Sequence, residues 1–482
     1  VWFNAGMGEE LFDGDAVGIA SAIRSGEVSA AEVLEYALAR LDERNPALNA
    51  VIGRRDDTAR AEVTAGLPEG LLTGVPFVVK DLGTAVAGMA STGGSRLFAD
   101  RIAAHDSELV SRYRRAGLVI IGTTNTPELG KNASTEPQLF GPTRNPWDLS
   151  RSPGGSSGGT AAAVAAGIVP AGHGNDGGGS IRIPASACGL VGLKPSRGRV
   201  PALPLSGTFA SPLSINHALT RTVRDSAVLL DIAAGPMIGD AVVIAAPGGR
   251  YVDEVGRPPG RCRIGVQMTT PAGAPFHSAV AAVVDHVAGW LSELGHAVDE
   301  ASPVYPIDAL SAAMRALAGA KLVVDVEARL GELGRELRDD DLEPMTRWIY
   351  ETGRAVGGAE VVRSYQGIER AASTIGAVFD AHDLLLTATL SRPVAPLGLL
   401  DTTDPAAAGP HAAAYSAMTS PFNITGQPAI SLPMGFDADG LPVGVQLVAA
   451  FGREDLLLRI AAQLESSRPW RTTPVWPPVE SR

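Results

Sequence analysis

Two serines and one lysine carry the residue types needed to make and break an acyl bond. Lys80 closes the apolar run Val75-Pro76-Phe77-Val78-Val79, and Ser156 lies in Gly154-Gly155-Ser156-Ser157-Gly158-Gly159. Ser180 follows 24 residues after Ser156, in Gly177-Gly178-Gly179-Ser180-Ile181-Arg182-Ile183-Pro184. A hydroxyl attacks a carbonyl only when a base takes its proton. An amine becomes such a base once burial disfavours its charged form, whereas a guanidinium stays protonated. Lysine is scarce in this chain: of 40 basic residues only Lys80, Lys131, Lys194 and Lys321 are lysines. The glycines ahead of Ser180 would let successive backbone N–H groups converge on one point, as holding an oxyanion requires.

Two shorter patterns overlap these residues. Gly172-His173-Gly174-Asn175-Asp176-Gly177 fits G-x-G-x-x-G, which in a dinucleotide-binding oxidoreductase joins a strand to a helix. Pro184 comes soon after it, and no acid lies between Asp176 and Asp225 to hold a ribose, so this reading is disfavoured. Gly155-Ser156-Ser157-Gly158-Gly159 fits G-x-S-x-G, the elbow of an α/β-hydrolase esterase with Ser157 as nucleophile. An elbow needs a strand before it, and residues 145–153 lack strand patterning.

The elements that must position these groups are partly readable. Two helices are expected over 15–44. The second opens with the capping box Ser29-Ala30-Ala31-Glu32, carries Leu34, Leu38 and Leu41 on one face, and stops at Asn45-Pro46. Residues 75–79 and 118–121 are short apolar runs of buried-strand type with a helix over 106–116 between them. That alternation predicts an α/β fold with mainly parallel pairing. Farther on, 279–294 reads as a helix leading to a strand from His296, and 309–375 as mostly helical. Residues 396–420 read as a long mobile loop, and 428–433 and 443–448 as strands before a helix over 455–464. No repeat or clean linker divides the chain, although 234–262 is weakly patterned. One domain over 7–475 is expected, with a helical insertion over about 307–420.

From Gly154 to Pro195 the chain resembles the amidase signature family. GGSSGG, the GGS-x-R-x-P run, Cys188-Gly189 and Gly192-Leu193-Lys194-Pro195 stand in that family's order. Further matches are Gly74-Val75-Pro76, Lys80-Asp81, Gly122 to Glu128, Asn145-Pro146-Trp147, Asn423 to Ala429 and Gly440 to Gln446. The resemblance implies an α/β/α sandwich with a central mixed β-sheet, its signature region over about 74–232. It implies a serine hydrolase cleaving amide C–N bonds through an acyl-enzyme and a Ser–cis-Ser–Lys triad. By position, Ser180 is then the nucleophile, Ser156 the bridging serine after a cis peptide, and Lys80 the base. The N–H groups of Gly177, Gly178, Gly179 and Ser180 form the implied oxyanion hole. Lys131 and Asn132 fall in a loop implied to face the acyl group, and neither a metal nor an organic cofactor is implied.

Some segments resemble the subgroup that includes 6-aminohexanoate-cyclic-dimer hydrolases: His173-Gly174-Asn175-Asp176, Ser134-Thr135-Glu136-Pro137 and Thr143-Arg144-Asn145-Pro146-Trp147. That implies small linear or cyclic amides, or carbamates (a urethanase activity), as substrates. Asn175 and Gly177 stand where the wider family commonly has threonine. A rival of the same fold is an amidotransferase A-type subunit, which would need a partner enzyme. Arg182 with Asp176 is expected to brace the glycine turn, and Lys194 to bond backbone or lie at the surface.

Composition excludes other roles. With 52 acidic against 40 basic residues the formal charge is -12, a poor match to nucleic acid or an anionic membrane. Cys188 and Cys262 are too few for a disulfide framework or a cysteine-rich zinc site and suit a reducing cytoplasm. The eight histidines show no metal-ligand spacing. Apolar stretches such as 161–171 are too short to cross a bilayer. No signal-peptide pattern is visible, and the residues before Met7 read as a remnant ahead of a start. Among assemblies, a homodimer is the expected form.

Overall fold

Ser29 and Glu32 each accept the other's backbone N–H and so open the helix Ala30–Leu48. The helix runs through Pro46 instead of stopping at Asn45. Pro46 costs only one hydrogen bond in a last turn. Asn49, at φ 51°, closes the helix, and Asn45 Oδ1 takes the N–H groups of Ala50 and Val51. These details come from a computed structural model that describes residues 9–476 except 10, 203–206, 209, 472 and 475. The residues before Met7 lie outside them.

Eleven strands form one sheet among the described residues: β1 (Val51–Arg54), β2 (Pro76–Lys80), β3 (Val119–Thr124), β4 (Ala171–Asp176), β5 (Val191–Lys194), β6 (Ile215–Thr220), β7 (Arg263–Val266), β8 (Ala297–Glu300), β9 (Leu384–Ala388), β10 (Ala429–Phe436) and β11 (Pro442–Ala449). Their order is β1-β3-β2-β4-β6-β5-β10-β11-β9-β7-β8. β2 runs parallel to β3 and β4, and β7 to β8 and β9; the other pairings are antiparallel. The sheet is therefore mixed, and the mainly parallel pairing expected from the first strands does not extend across it. A short apolar run says that a strand is buried on both faces, not which way its neighbour runs.

Every residue of β2, β3, β4, β5, β6, β9 and β11 is buried, which requires cover on both faces of the sheet. Helices supply it, including Gly158–Ala165 against β4 and β2, Val223–Ala233 against β6, and Ser278–Glu293 against β9. The edge strand β8 is partly exposed.

Residues 307–420 are not purely helical. β9 lies inside them, between β11 and β7, because Leu384–Ala388 is an apolar run as short as a strand. The expected loop at 396–420 holds the helix Pro405–Ser416. Asp404 caps it by accepting the N–H groups of Ala406 and Ala407, and alanine is the best helix former. Among the described residues no helix is long and apolar enough to cross a membrane.

Candidate active site

Parallel pairing of β2 with β4 brings two carboxyl ends to one edge of the sheet. Val78 pairs with Gly172, so Lys80, two residues on, arrives beside Gly174 and Asn175. Clefts in such sheets open at the carboxyl ends of parallel strands. Lys80 Nζ lies 2.6 Å from Ser156 Oγ and 2.6 Å from Asn175 Oδ1. Its side chain is 0% exposed, and burial pushes its pKa well below the ordinary 10.5, with nearby Asp176 opposing the shift. Burial thus disfavours the ammonium form relative to a solvated lysine.

Ser156 follows a cis peptide bond with Gly155 and sits just ahead of the helix Gly158–Ala165. Gly130 packs against it so closely that a Cβ there would lie 3.2 Å from Ser156 Oγ. Ser180 occupies the turn between β4 and the helix Arg182–Cys188 and is half-buried, as are Gly177 and Gly178. Its carbonyl accepts the Ser157 N–H at 3.2 Å, tying the two serine segments together. Among the described residues no hydrogen bond joins the Ser156 and Ser180 hydroxyls.

The glycine turn is held by a buried ion pair. Arg182 Nε donates to Asp176 Oδ2 at 2.9 Å, and both side chains are wholly buried. Burial alone would raise the Asp176 pKa, but the Arg182 charge and hydrogen bonds hold it well below the carboxylate range. Asn423 Nδ2 donates to Asp176 Oδ1 at 2.8 Å, and Gln446 Oε1 accepts from Arg182 at 2.7 Å. The pair braces the turn as its sequence position suggests.

Asp176 also accepts the Gly179 N–H at 2.7 Å. Of the four N–H groups expected to hold an oxyanion, that of Gly179 is thus already taken, while those of Gly177, Gly178 and Ser180 have no partner among the described residues. Gly179 has a different task. Its φ is +132°, and a Cβ there would meet Thr419 Oγ1 at 2.2 Å. Thr419 Oγ1 in turn donates to the Gly178 carbonyl at 2.7 Å.

Other expectations resolve unequally. Asn132 is 7% exposed, donates to the Leu400 carbonyl at 2.6 Å and accepts the Ala133 N–H. Those bonds fasten its loop to the 396–400 stretch. Lys131 is half-buried and reaches the Ala318 carbonyl of the helix Ile307–Leu333 at 3.4 Å. Burial moves its pKa down to about 8. Met314, one turn before Ala318, lies 3.7 Å from where a Gly178 Cβ would stand, so the same helix touches both Lys131 and the glycine turn. Lys194 is buried rather than at the surface and donates to the Pro195 carbonyl at 2.9 Å.

The rival motifs fail on geometry. Ser157 is wholly buried, its hydroxyl donates to the Asn175 carbonyl at 3.3 Å, and no strand precedes it, so it is no elbow nucleophile. The G-x-G-x-x-G residues from Gly172 to Asp176 lie within β4, with only Gly177 past its end, instead of forming a turn between a strand and a helix. Sequence reasoning noticed Asn175 only as a departure from threonine and missed its contact with Lys80. It also assigned no role to Thr419 or Asn423.

The fold is α/β, with Lys80 at the carboxyl edge of a mixed sheet. A family model described as Amidase matches residues 32–458, and the chain belongs to the amidase family, hydrolases of non-peptide carbon–nitrogen bonds. It is 41% identical over 480 residues to a 6-aminohexanoate-cyclic-dimer hydrolase of Pseudomonas sp. (strain NK87), covering 95% of each chain. It is 36% identical over 467 residues to an acylamidase of Rhodococcus erythropolis, covering 94% of this chain and 95% of that one. A solved structure of 6-aminohexanoate cyclic dimer hydrolase complexed with substrate superposes with a TM-score of 0.90 at 38% identity, over 96% of this chain and 98% of that one.

Proposed function

We propose that this enzyme hydrolyses small linear and cyclic amides through an acyl-enzyme on Ser180, with Ser156 as proton bridge and Lys80 as base. The observation that carries the reading is the buried Lys80 amine 2.6 Å from Ser156 Oγ. Neutral Lys80 takes the Ser156 proton while Ser156 takes that of Ser180. The Ser180 oxygen bonds to the carbonyl carbon, and the carbonyl π electrons move to an oxyanion held by the N–H groups of Gly177, Gly178 and Ser180. The proton returns through Ser156 to the leaving nitrogen as the C–N bond breaks. Water, deprotonated along the same path, then releases the acid. Carbamates react by the same steps and belong to the proposed range, and Lys131 borders the substrate. Two unpaired thiols, Cys188 and Cys262, favour a reducing, cytoplasmic setting.

The test is a panel of linear amides, a cyclic amide dimer, anilides and carbamates, offered to the purified chain alone. Ser180→Ala and Ser156→Ala should each lower kcat by about a hundredfold or more. Near-wild-type turnover in Ser180→Ala would sink the assignment. Activity without a partner enzyme would also separate this chain from an amidotransferase subunit.

A further inference from the structure

Asn175 is the other neighbour of the Lys80 amine. We infer that Asn175 is a positioning residue for the base: its carboxamide oxygen takes one N–H of Lys80 and leaves the nitrogen lone pair for the Ser156 hydroxyl. The inference rests on the proposed role of Lys80 and deepens it.

A neutral amine offers two N–H donors and one lone pair, and rotation about its last bond exchanges them. Only one partner at 2.6 Å, the Ser156 hydroxyl, can donate; Asn175 Oδ1 can only accept. The lone pair is therefore excluded from the Asn175 side. The carboxamide is itself confined. Gly83, at φ +83°, leaves its space open, since a Cβ there would lie 2.3 Å from Asn175 Nδ2. Asn216 of β6 stands opposite Asn175 in register, and Ser157 Oγ donates to the Asn175 carbonyl.

After the proton arrives, the same oxygen accepts from an ammonium, a stronger bond. Other groups act on Lys80 too. Asp176 of β4 favours the ammonium, while His173 of β4 stays neutral because burial holds its pKa near 3. Asp81 follows Lys80 in the chain, and β3 presents Thr124 at the paired position.

The test compares pH profiles of kcat/KM on a chromogenic nitroanilide. Asn175→Asp sets a carboxylate against the amine, so the acid limb should move up by about one pH unit or more, activity returning as pH rises. Asn175→Ala should lower kcat about tenfold to a hundredfold, the scale of a misplaced reacting group, with KM held within about twofold and the limb moved down. Asn175→Thr, which restores an acceptor oxygen, should recover part of that kcat. Wild-type limbs in both Asp and Ala variants would overturn the inference. If one of these two variants does not fold, the other decides on the same criterion, a wild-type limb in the folded variant overturning the inference. Lys80→Ala separates the two readings. If it stays active, the base assignment fails; if it is inactive while the Asn175 limbs stay put, only the positioning role fails.

Discussion

Lys80 and Lys194 end strands β2 and β5 and share nearly every property that burial confers. Both are wholly buried, and burial pushes both pKa values well below 10.5. Their surroundings differ. β2 lies between two parallel neighbours, so the Lys80 end meets the end of β4 and the serine segments. β5 lies between antiparallel neighbours, β6 and β10, and among the described residues Lys194 hydrogen-bonds only the carbonyl of its own next residue. Arg182 further disfavours charge on Lys194. A depressed pKa is therefore no mark of a base. What sets the proposed base Lys80 apart is the Ser156 hydroxyl 2.6 Å away.

The largest test of that contrast is kinetic. Lys80→Ala should cost about 10²–10⁴ in kcat/KM on the best amide, the usual worth of general-base catalysis, whereas Lys194→Met should stay within about threefold. Equal losses in two folded variants would erase the distinction.

Asp176 acts on both lysines, favouring the ammonium at each. Asp176→Asn leaves Arg182 buried without its counter-charge, and chemical denaturation should show a loss of about 3–5 kcal/mol. A loss under about 1 kcal/mol would mean that Asn423 and Gln446 satisfy Arg182 unaided.

The smallest effect is a pH dependence. Lys194 binds fewer protons folded than unfolded, so its contribution to stability rises with pH up to about the unfolded value of 10.5. Lys194→Met removes that titration. The stability of wild type relative to the variant, from urea midpoints, should grow as pH increases. A difference independent of pH would show that Lys194 is charged in the folded protein.

The proposed site residues were legible in order along the chain. Ser156, Ser180 and Lys80 stand in motifs whose spacing and family resemblance pick them out, and the capping box at Ser29 specified a helix start within four residues. Asn175 was not legible as a partner of Lys80, because 95 residues separate them and only the β2/β4 register joins them. The partner of Asn132 was hidden for a related reason: its side chain bonds Leu400, 268 residues away. β9 was hidden because a short apolar run between helices fits a buried helix segment as well as a strand.

The sequence by itself determined the family motifs that carry Lys80, Ser156 and Ser180, the acidic balance and the helices with local caps, since these depend on residue type and near neighbours. Tertiary structure alone decided which buried lysine meets a serine, which glycine N–H is already taken by Asp176, and which strands run parallel. Those outcomes follow from pairing register and burial, which bring distant atoms within hydrogen-bonding reach and set the local dielectric.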